Sequence, residues 1–410
     1  MIAEGFQTYK FGDLIEKITK GTTPTTLGGG FVDHGINFIK SEAISYDGRI
    51  DRSTFVCIDS ETHEKLKRSQ LQKGDILFSM AGIFLGKNAI VTEDILPANT
   101  NQALAIIRLK QEKATPKFVH YYLRQKDVVK QINSISGQSA QPNINFEEIK
   151  SIEINLPEIQ IQNEISSILS SLDDKIELNL QMNKTLEAIA QEIFKEWFVN
   201  FRFPGFDGEL VDGLPKGWKK VSLSNKADIQ IGRTPPRMEA KWFSNDPSDI
   251  KWISIKDMGE AGVYINNTAE YLTYEAKSRF RIPEIPVETV ILSFKLTVGR
   301  VCITTEKMLS NEAIAQIRTD LSTAYIYCYL FNFDYKSLGS TSSIATAVNS
   351  KSIKDLPLLL PTVGVLNQFR DTVSPLLERI KVNCSEIQSL EKIRNLLLPK
   401  LMNGQIRVTI

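Results

Sequence analysis

The chain has 410 residues, 42% of them hydrophobic and 24% charged, with a net charge of +1. That length allows roughly two or three domains, and the composition is that of an ordinary folded protein whose overall charge does not announce a nucleic-acid binder. There is no run of 18 apolar residues to span a membrane, the N-terminal MIAEGFQTYKFGD lacks the regions of a signal peptide, and the four scattered cysteines suggest no disulfide framework, which together predict a cytoplasmic protein.

Residues 1–157 read as a first globular domain. Short β-branched and aromatic runs at 6–11, 36–40 and 76–79 are bounded by Gly, Pro and Asn and predict strands. A helical stretch is expected over 116–135. Within this domain GIFLGKN at 82–88 imitates a phosphate-binding loop, but it is one residue short and has Asn88 where a hydroxyl is needed. EIK at 148–150 could be the tail of a nuclease motif, yet no upstream Asp accompanies it. The three histidines are not in metal-ligand spacing. No catalytic constellation, metal site or cofactor site is predicted.

Residues 158–200 are expected to form one long helix. Its seam is Ile161, Ile165, Ile168, Leu172, Ile176, Asn179, Asn183, Leu186, Ala190, Ile193 and Trp197, a heptad pattern with one additional four-residue step after Leu172. The segment 158–199 holds three Lys against eight Asp or Glu. Phosphates would repel such a helix, so its acids Glu164, Asp174, Glu177, Glu187 and Glu192 suit a protein partner, the plain alternative being a solvated face.

Residues 201–361 begin with a linker rich in Gly, Pro and aromatics, which predicts an ordered turn back, and continue as a second globular domain. Residues 362–410 hold a second long helix and a tail, expected to dock on the first domain beyond a cap at Gly404.

The second half repeats the first. Gly21-Thr22-Thr23-Pro24 matches Gly232-Arg233-Thr234-Pro235, Gly86-Lys87 matches Gly299-Arg300, and Asn101 matches Asn311. Adding 204 carries Leu172 onto Leu376, Asn179 onto Asn383 and Leu186 onto Leu390. The pattern predicts an α+β chain: two similar mixed domains separated by a pair of long antiparallel coiled-coil helices with pseudo-two-fold symmetry. If the helix midpoints face each other, Asn179 meets Asn383 and fixes the register.

Polar side chains on the predicted turns have the chemistry to contact DNA, although each singly could be an ordinary surface residue. They are Thr22, Thr23, Lys40, Ser41, Lys87, Asn88, Gln138, Ser139, Gln141 and Asn143 in the first domain. In the second they are Arg233, Thr234, Arg237, Lys256, Lys295, Arg300, Ser342, Asn349 and Lys351. Turns alike in both copies should serve the fold or the DNA backbone. Loops that differ, such as GQSAQPN against GSTSSIAT, are free to read different bases.

In their order, LEAIAQEIFKEWFVNF at 186–201, LPKGWKKVSL at 214–223, the Gly-Thr-Pro turn and LLPKLMNGQIRV at 397–408 resemble the specificity subunit of a Type I restriction–modification enzyme. The resemblance implies a non-catalytic, sequence-specific subunit with two target-recognition domains, each reading half of a split site on double-stranded DNA. It implies that the helices set the gap and dock methyltransferase subunits, and that a separate translocating restriction subunit completes the assembly. S-adenosylmethionine and ATP then belong to the partners. The competing reading is a non-DNA scaffold carrying repeated protein-binding domains on a helical spacer. A stand-alone nuclease or methylase is disfavoured by the missing motifs.

Overall fold

Two helices of 40 residues each, Ile159–Phe198 and Val363–Met402, run through an otherwise mixed α+β structure. They are offset by the 204 residues of the sequence repeat. The computed structural model describes residues 4–82, 85–135, 143–338 and 349–408. The chain divides into unit 1, residues 1–175 with 389–410, and unit 2, residues 176–388. The boundaries expected at 157, 200 and 361 separate helix from globular part. The units instead take a portion of both helices into each core.

In unit 1, β1 (Gln7–Lys10), β2 (Ile15–Lys20), β3 (Ile36–Ile39), β4 (Val56–Ile58), β5 (Ile76–Ser79), β6 (Asn88–Ile90), β7 (Ala98–Thr100), β8 (Leu104–Leu109) and β9 (Glu153–Leu156) form three sheets. Their orders are β2-β8-β5-β6, β4-β3-β7 and β1-β9. The predicted helical stretch is two helices, Pro116–Leu123 and Lys126–Ile135. Phe118, Val119 and Leu123 share one core with Ile165 and Leu169 of the first long helix and Leu398, Leu401 and Met402 of the second.

Unit 2 opens with the hairpin β10 (Leu210–Val211) and β11 (Leu214–Pro215), so the linker is ordered, with Phe203 stacked on Trp218 at 5.0 Å. There follow β12 (Lys219–Ser222), β13 (Asp228–Ile231), β14 (Phe243–Ser244), β15 (Ile250–Ile253), β16 (Tyr264–Ile265), β17 (Glu270–Leu272), β18 (Val290–Ser293), β19 (Val301–Thr304), β20 (Leu309–Ser310), β21 (Ile314–Arg318) and β22 (Pro357–Leu360). The sheets are β13-β21-β18-β19-β16, β14-β17-β15-β20 and β12-β22. Phe194, Trp197 and Phe198 close the core around Phe369, with ring centroids at 6.1, 5.7 and 4.9 Å.

The helix portions inside unit 2 are antiparallel, but in a register other than the expected one. Asn383 Nδ2 donates to Asn183 Oδ1 at 2.8 Å, and Asn179 Nδ2 donates to Glu386 Oε2 at 2.9 Å. Asn179 and Asn383 are both fully buried, and each gives its amide hydrogen bond to a residue other than the expected partner. The aromatic cluster around Phe369 sets where the helices pass each other, and it leaves Asn383 one turn from Asn179. The seam also departs from the apolar count. Ile168 is 37% exposed while Leu169 is buried. The reason lies in buried polar residues that such a count skips. Gln162 accepts from the Thr115 amide at 2.9 Å and donates to the carbonyls of Pro157 and Lys113. With Gln162 and Ser166 inward, the buried face follows the ordinary 3.6-residue period and needs no additional step.

After the second long helix, Gly404 takes φ +70°, the left-handed conformation expected of a cap. Val408 packs on the unit 1 core and Arg407 pairs with Glu4 at 2.9 Å. Residues 405–408 form no strand.

Candidate nucleic-acid interface

Strand directions gather the predicted turns at one end of the sheets in each unit. In unit 1, Lys20 lies opposite Ala105 and Ser79 opposite Leu104, so residues 21–23, 80–82, 85–87 and 101–103 lie at the same end of the sheet. β3 is parallel to β7 with Ile39 beside Thr100, which brings Lys40 and Ser41 to the same end. Asn143 is bridged to Ala81 there. Unit 2 repeats the arrangement. Ile231 faces Ala315, Ser293 faces Ile314 and Ile253 faces Ser310, so residues 232–237, 254–256, 294–300 and 311–313 emerge side by side.

The shared Gly-Thr-Pro turn has a steric cause. A Cβ on Gly21 would overlap the carbonyls of Thr100 and Asn101, and one on Gly232 those of Ser310 and Asn311. The following threonines lock the turn: Thr23 donates to Gln102 and Thr234 to Glu312. Thr22 accepts from Arg68 at 3.0 Å. These three threonine side chains are engaged within the chain.

The remaining predicted residues divide by availability. Lys40 lies 5.0 Å from the Phe31 ring centre and Ser41 is buried. Lys87 is buried with its ammonium 4.0 Å from the ring centre of Tyr46, and desolvation pulls its pKa below that of an ordinary lysine. Asn88 is corrected from surface contact to core: it sits on β6 with its Oδ1 2.8 Å from His120 Nδ1. Strand alternation, which a loop reading misses, turns it inward. Burial, followed by the nearby Arg124, lowers the His120 pKa to about 3, so that ring is neutral.

In unit 2, Arg233 donates to the Phe280 carbonyl at 3.0 Å. Arg237 pairs with Glu270 at 2.8 Å and lies over Phe243 and Trp252. Arg300 donates to the Ile255 carbonyl at 2.5 Å, and Lys256 reaches Glu260 at 3.7 Å. Asn349 caps the short helix Ser350–Lys354 through the amides of Lys351 and Ser352. Lys295, Lys351 and Asn143 have exposed side chains. Gln138, Ser139, Gln141 and Ser342, with the differing loops that hold them, lie outside the described residues. Sequence reasoning passed over exposed apolar side chains near these turns, among them Tyr46 at 72% and Leu296 at 81%. The first could have been noticed as an aromatic beside a basic turn.

Of the helix acids, Glu164, Asp174, Glu177 and Glu192 are exposed. Glu187 is corrected: it accepts from the Tyr327 hydroxyl at 2.6 Å, and so belongs to the inner side of unit 2. Burial and that carboxylate push the Tyr327 pKa far up. Exposed apolar residues on the helices were also missed. Leu178, Ile189, Val382 and Ile393 are 43–52% exposed and correspond pairwise under the 204-residue offset.

The description of the family model that matches residues 3–188 and 215–392 is the Type I restriction modification DNA specificity domain. The chain belongs to this family. Sequence-specific DNA recognition is its function, and it is a non-catalytic subunit; the scaffold reading finds no support. The HindI specificity subunit of Haemophilus influenzae is 26% identical over 407 residues, covering 83% of this chain and 88% of that one. The MjaIX specificity subunit of Methanocaldococcus jannaschii is 29% identical over 325 residues, covering 76% and 74%. The crystal structure of the Type I restriction–modification S subunit from M. genitalium has the same fold, with a TM-score of 0.57 at 14% identity over 98% of this chain and 96% of that one. Among the described residues no helix is long and apolar enough to cross a membrane, and no group of His, Cys, Asp or Glu could hold a metal.

Proposed function

We propose that each unit reads one half of a split DNA target through the loop end of its sheets. The two long helices set the number of base pairs between the halves and dock methyltransferase subunits. The observation that carries this is the duplicated loop end: the same turns converge on the same strand ends in both units. Exposed Lys295, Lys351 and Asn143 are the first candidates for contact with DNA, and Lys40, Lys256 and Arg233 can turn from their present partners to phosphates. A 40-residue helix is about 60 Å long, more than the ~34 Å turn of duplex DNA.

For docking, the exposed apolar residues Leu178, Ile189, Val382 and Ile393 supply contact area. Glu164, Asp174, Glu177 and Glu192 supply charge complementarity on the first helix. Restriction subunits complete the assembly, S-adenosylmethionine and ATP act in those partners, and the complex works in the cytoplasm. Exchanging residues 1–157 for those of a relative and mapping methylated bases across the genome tests the division of labour. One half of the target should change and the other stay. An unchanged target, or a change in both halves, would refute it.

A further inference from the structure

The turn between β18 and β19 holds Leu296 at φ +62° with 81% of its surface exposed. The corresponding turn of unit 1 has Gly82 there, at φ +68°. Both are third after the serine that ends the preceding strand, Ser293 or Ser79. Glycine takes this conformation freely, whereas a leucine Cβ crowds the following carbonyl. Unit 2 therefore carries a strained residue where its own repeat shows an unstrained solution, and the side chain gains no burial in return. The turn is otherwise tied down: Ser293 Oγ donates to the Thr297 carbonyl at 2.6 Å and accepts from the Arg300 amide at 3.0 Å. Leu296 is thus held out at the loop end, next to exposed Lys295.

We propose that Leu296 is a specificity-determining residue that packs on the 5-methyl group of a thymine in the half-site read by unit 2. This rests on the DNA reading given above. A leucine can make only apolar contacts, and the thymine methyl is the apolar feature on the base edges of the major groove. Gly82 itself offers no such contact.

The test uses the full chain assembled with its methyltransferase subunits and duplexes bearing the methylated target mapped in the host genome. The duplexes are made with thymine or with uracil at each thymine position in turn, which removes only the methyl group. The wild-type complex should lose about fourfold in affinity at one position, the worth of one buried methyl. Leu296→Gly should bind the thymine duplex about fourfold more weakly, fail to distinguish uracil there, and melt at a higher temperature than wild type. Wild-type affinity indifferent to uracil at every position overturns the proposal. So does a Leu296→Gly loss equal on both duplexes, or a lower melting temperature for that variant. Lys295→Ala should weaken both duplexes alike and flatten the salt dependence. If neither variant alters binding, the loop end does not face DNA and the underlying reading fails too. If only Lys295→Ala does, the thymine contact alone is lost.

Discussion

Asp173 is the strongest single test of how the helices are built into unit 1. It lies on the first long helix and joins three elements. Arg394 Nη1 of the second long helix donates to Oδ1 at 2.6 Å, Arg124 Nη1 donates to Oδ2 at 3.2 Å, and the Tyr121 hydroxyl donates to Oδ2 at 2.8 Å. The two guanidinium side chains are only 6% and 7% exposed, while that of Asp173 is 24% exposed. Asp173→Asn keeps the shape but takes the directly bonded carboxylate from two buried guanidinium groups, of which Arg124 retains only the more distant charge of Asp47. Removing one partner of a buried ion pair costs about 3–5 kcal/mol. The residual solvent access of Asp173 places the expected loss near the lower end, about 3 kcal/mol, or roughly a 150-fold shift in the local opening equilibrium.

Hydrogen exchange read by mass spectrometry is the appropriate assay, because a two-unit chain need not melt in one step. Peptides from 116–124 and 165–175 should exchange faster in the variant, whereas those of unit 2 should change less. Burial alone would raise the Asp173 pKa, but Arg124, Arg394 and the Tyr121 hydrogen bond hold it below the usual carboxylate range. Its contribution is therefore complete above the unfolded-state value, about 4, and lost as pH falls through the depressed folded value. The difference between wild type and variant should be full at neutral pH and shrink in acid. A variant that exchanges like wild type at pH 7 would show that the network contributes nothing to holding the helices in this unit.

Three further predictions concern other parts of the chain. Asn383→Leu should cost about 1–2 kcal/mol in a urea titration by leaving Asn183 Oδ1 without its donor, and Asn183→Leu added to it should recover most of that loss; two losses that simply add would refute the pairing. Leu178→Glu with Val382→Glu should weaken assembly with methyltransferase subunits about tenfold or more without lowering the melting temperature, and unaltered assembly on gel filtration would exclude those residues from docking. Gly21→Ala and Gly232→Ala should each destabilise by about 3 kcal/mol because the added carbon meets backbone carbonyls that cannot withdraw; melting temperatures within a degree of wild type would contradict that close approach.

What could be read from the residues alone followed from periodicity and repetition. The absence of Gly and Pro between Ile161 and Trp197 marked the first long helix to within two residues of its ends. The echo at 204 residues exposed the second, and β-branched runs such as 290–293 stood out as strands. The register of the helix pair was not legible, because bulky rings around Phe369 set it and a midpoint argument does not weigh them. Gln162 was invisible as a core residue since its burial depends on three backbone partners brought together by the fold. Asn88 and Glu187 were taken as surface groups because one-dimensional chemistry does not show direction; pleating turns one inward, and Tyr327 claims the other. Leu296 carried no signal of its own until its backbone angle and the matching glycine could be compared.

Unit 1 is discontinuous, and that has a consequence during synthesis. Its core receives Leu398, Leu401 and Met402 from the far end of the chain. While the ribosome is still making unit 2, the greasy groove beside Ile165 and Leu169 stands open, and only the arrival of residues 389–402 can close it. Chains that stop before residue 389 lack that closing segment, and their first unit should be cut by protease more readily than in the whole chain.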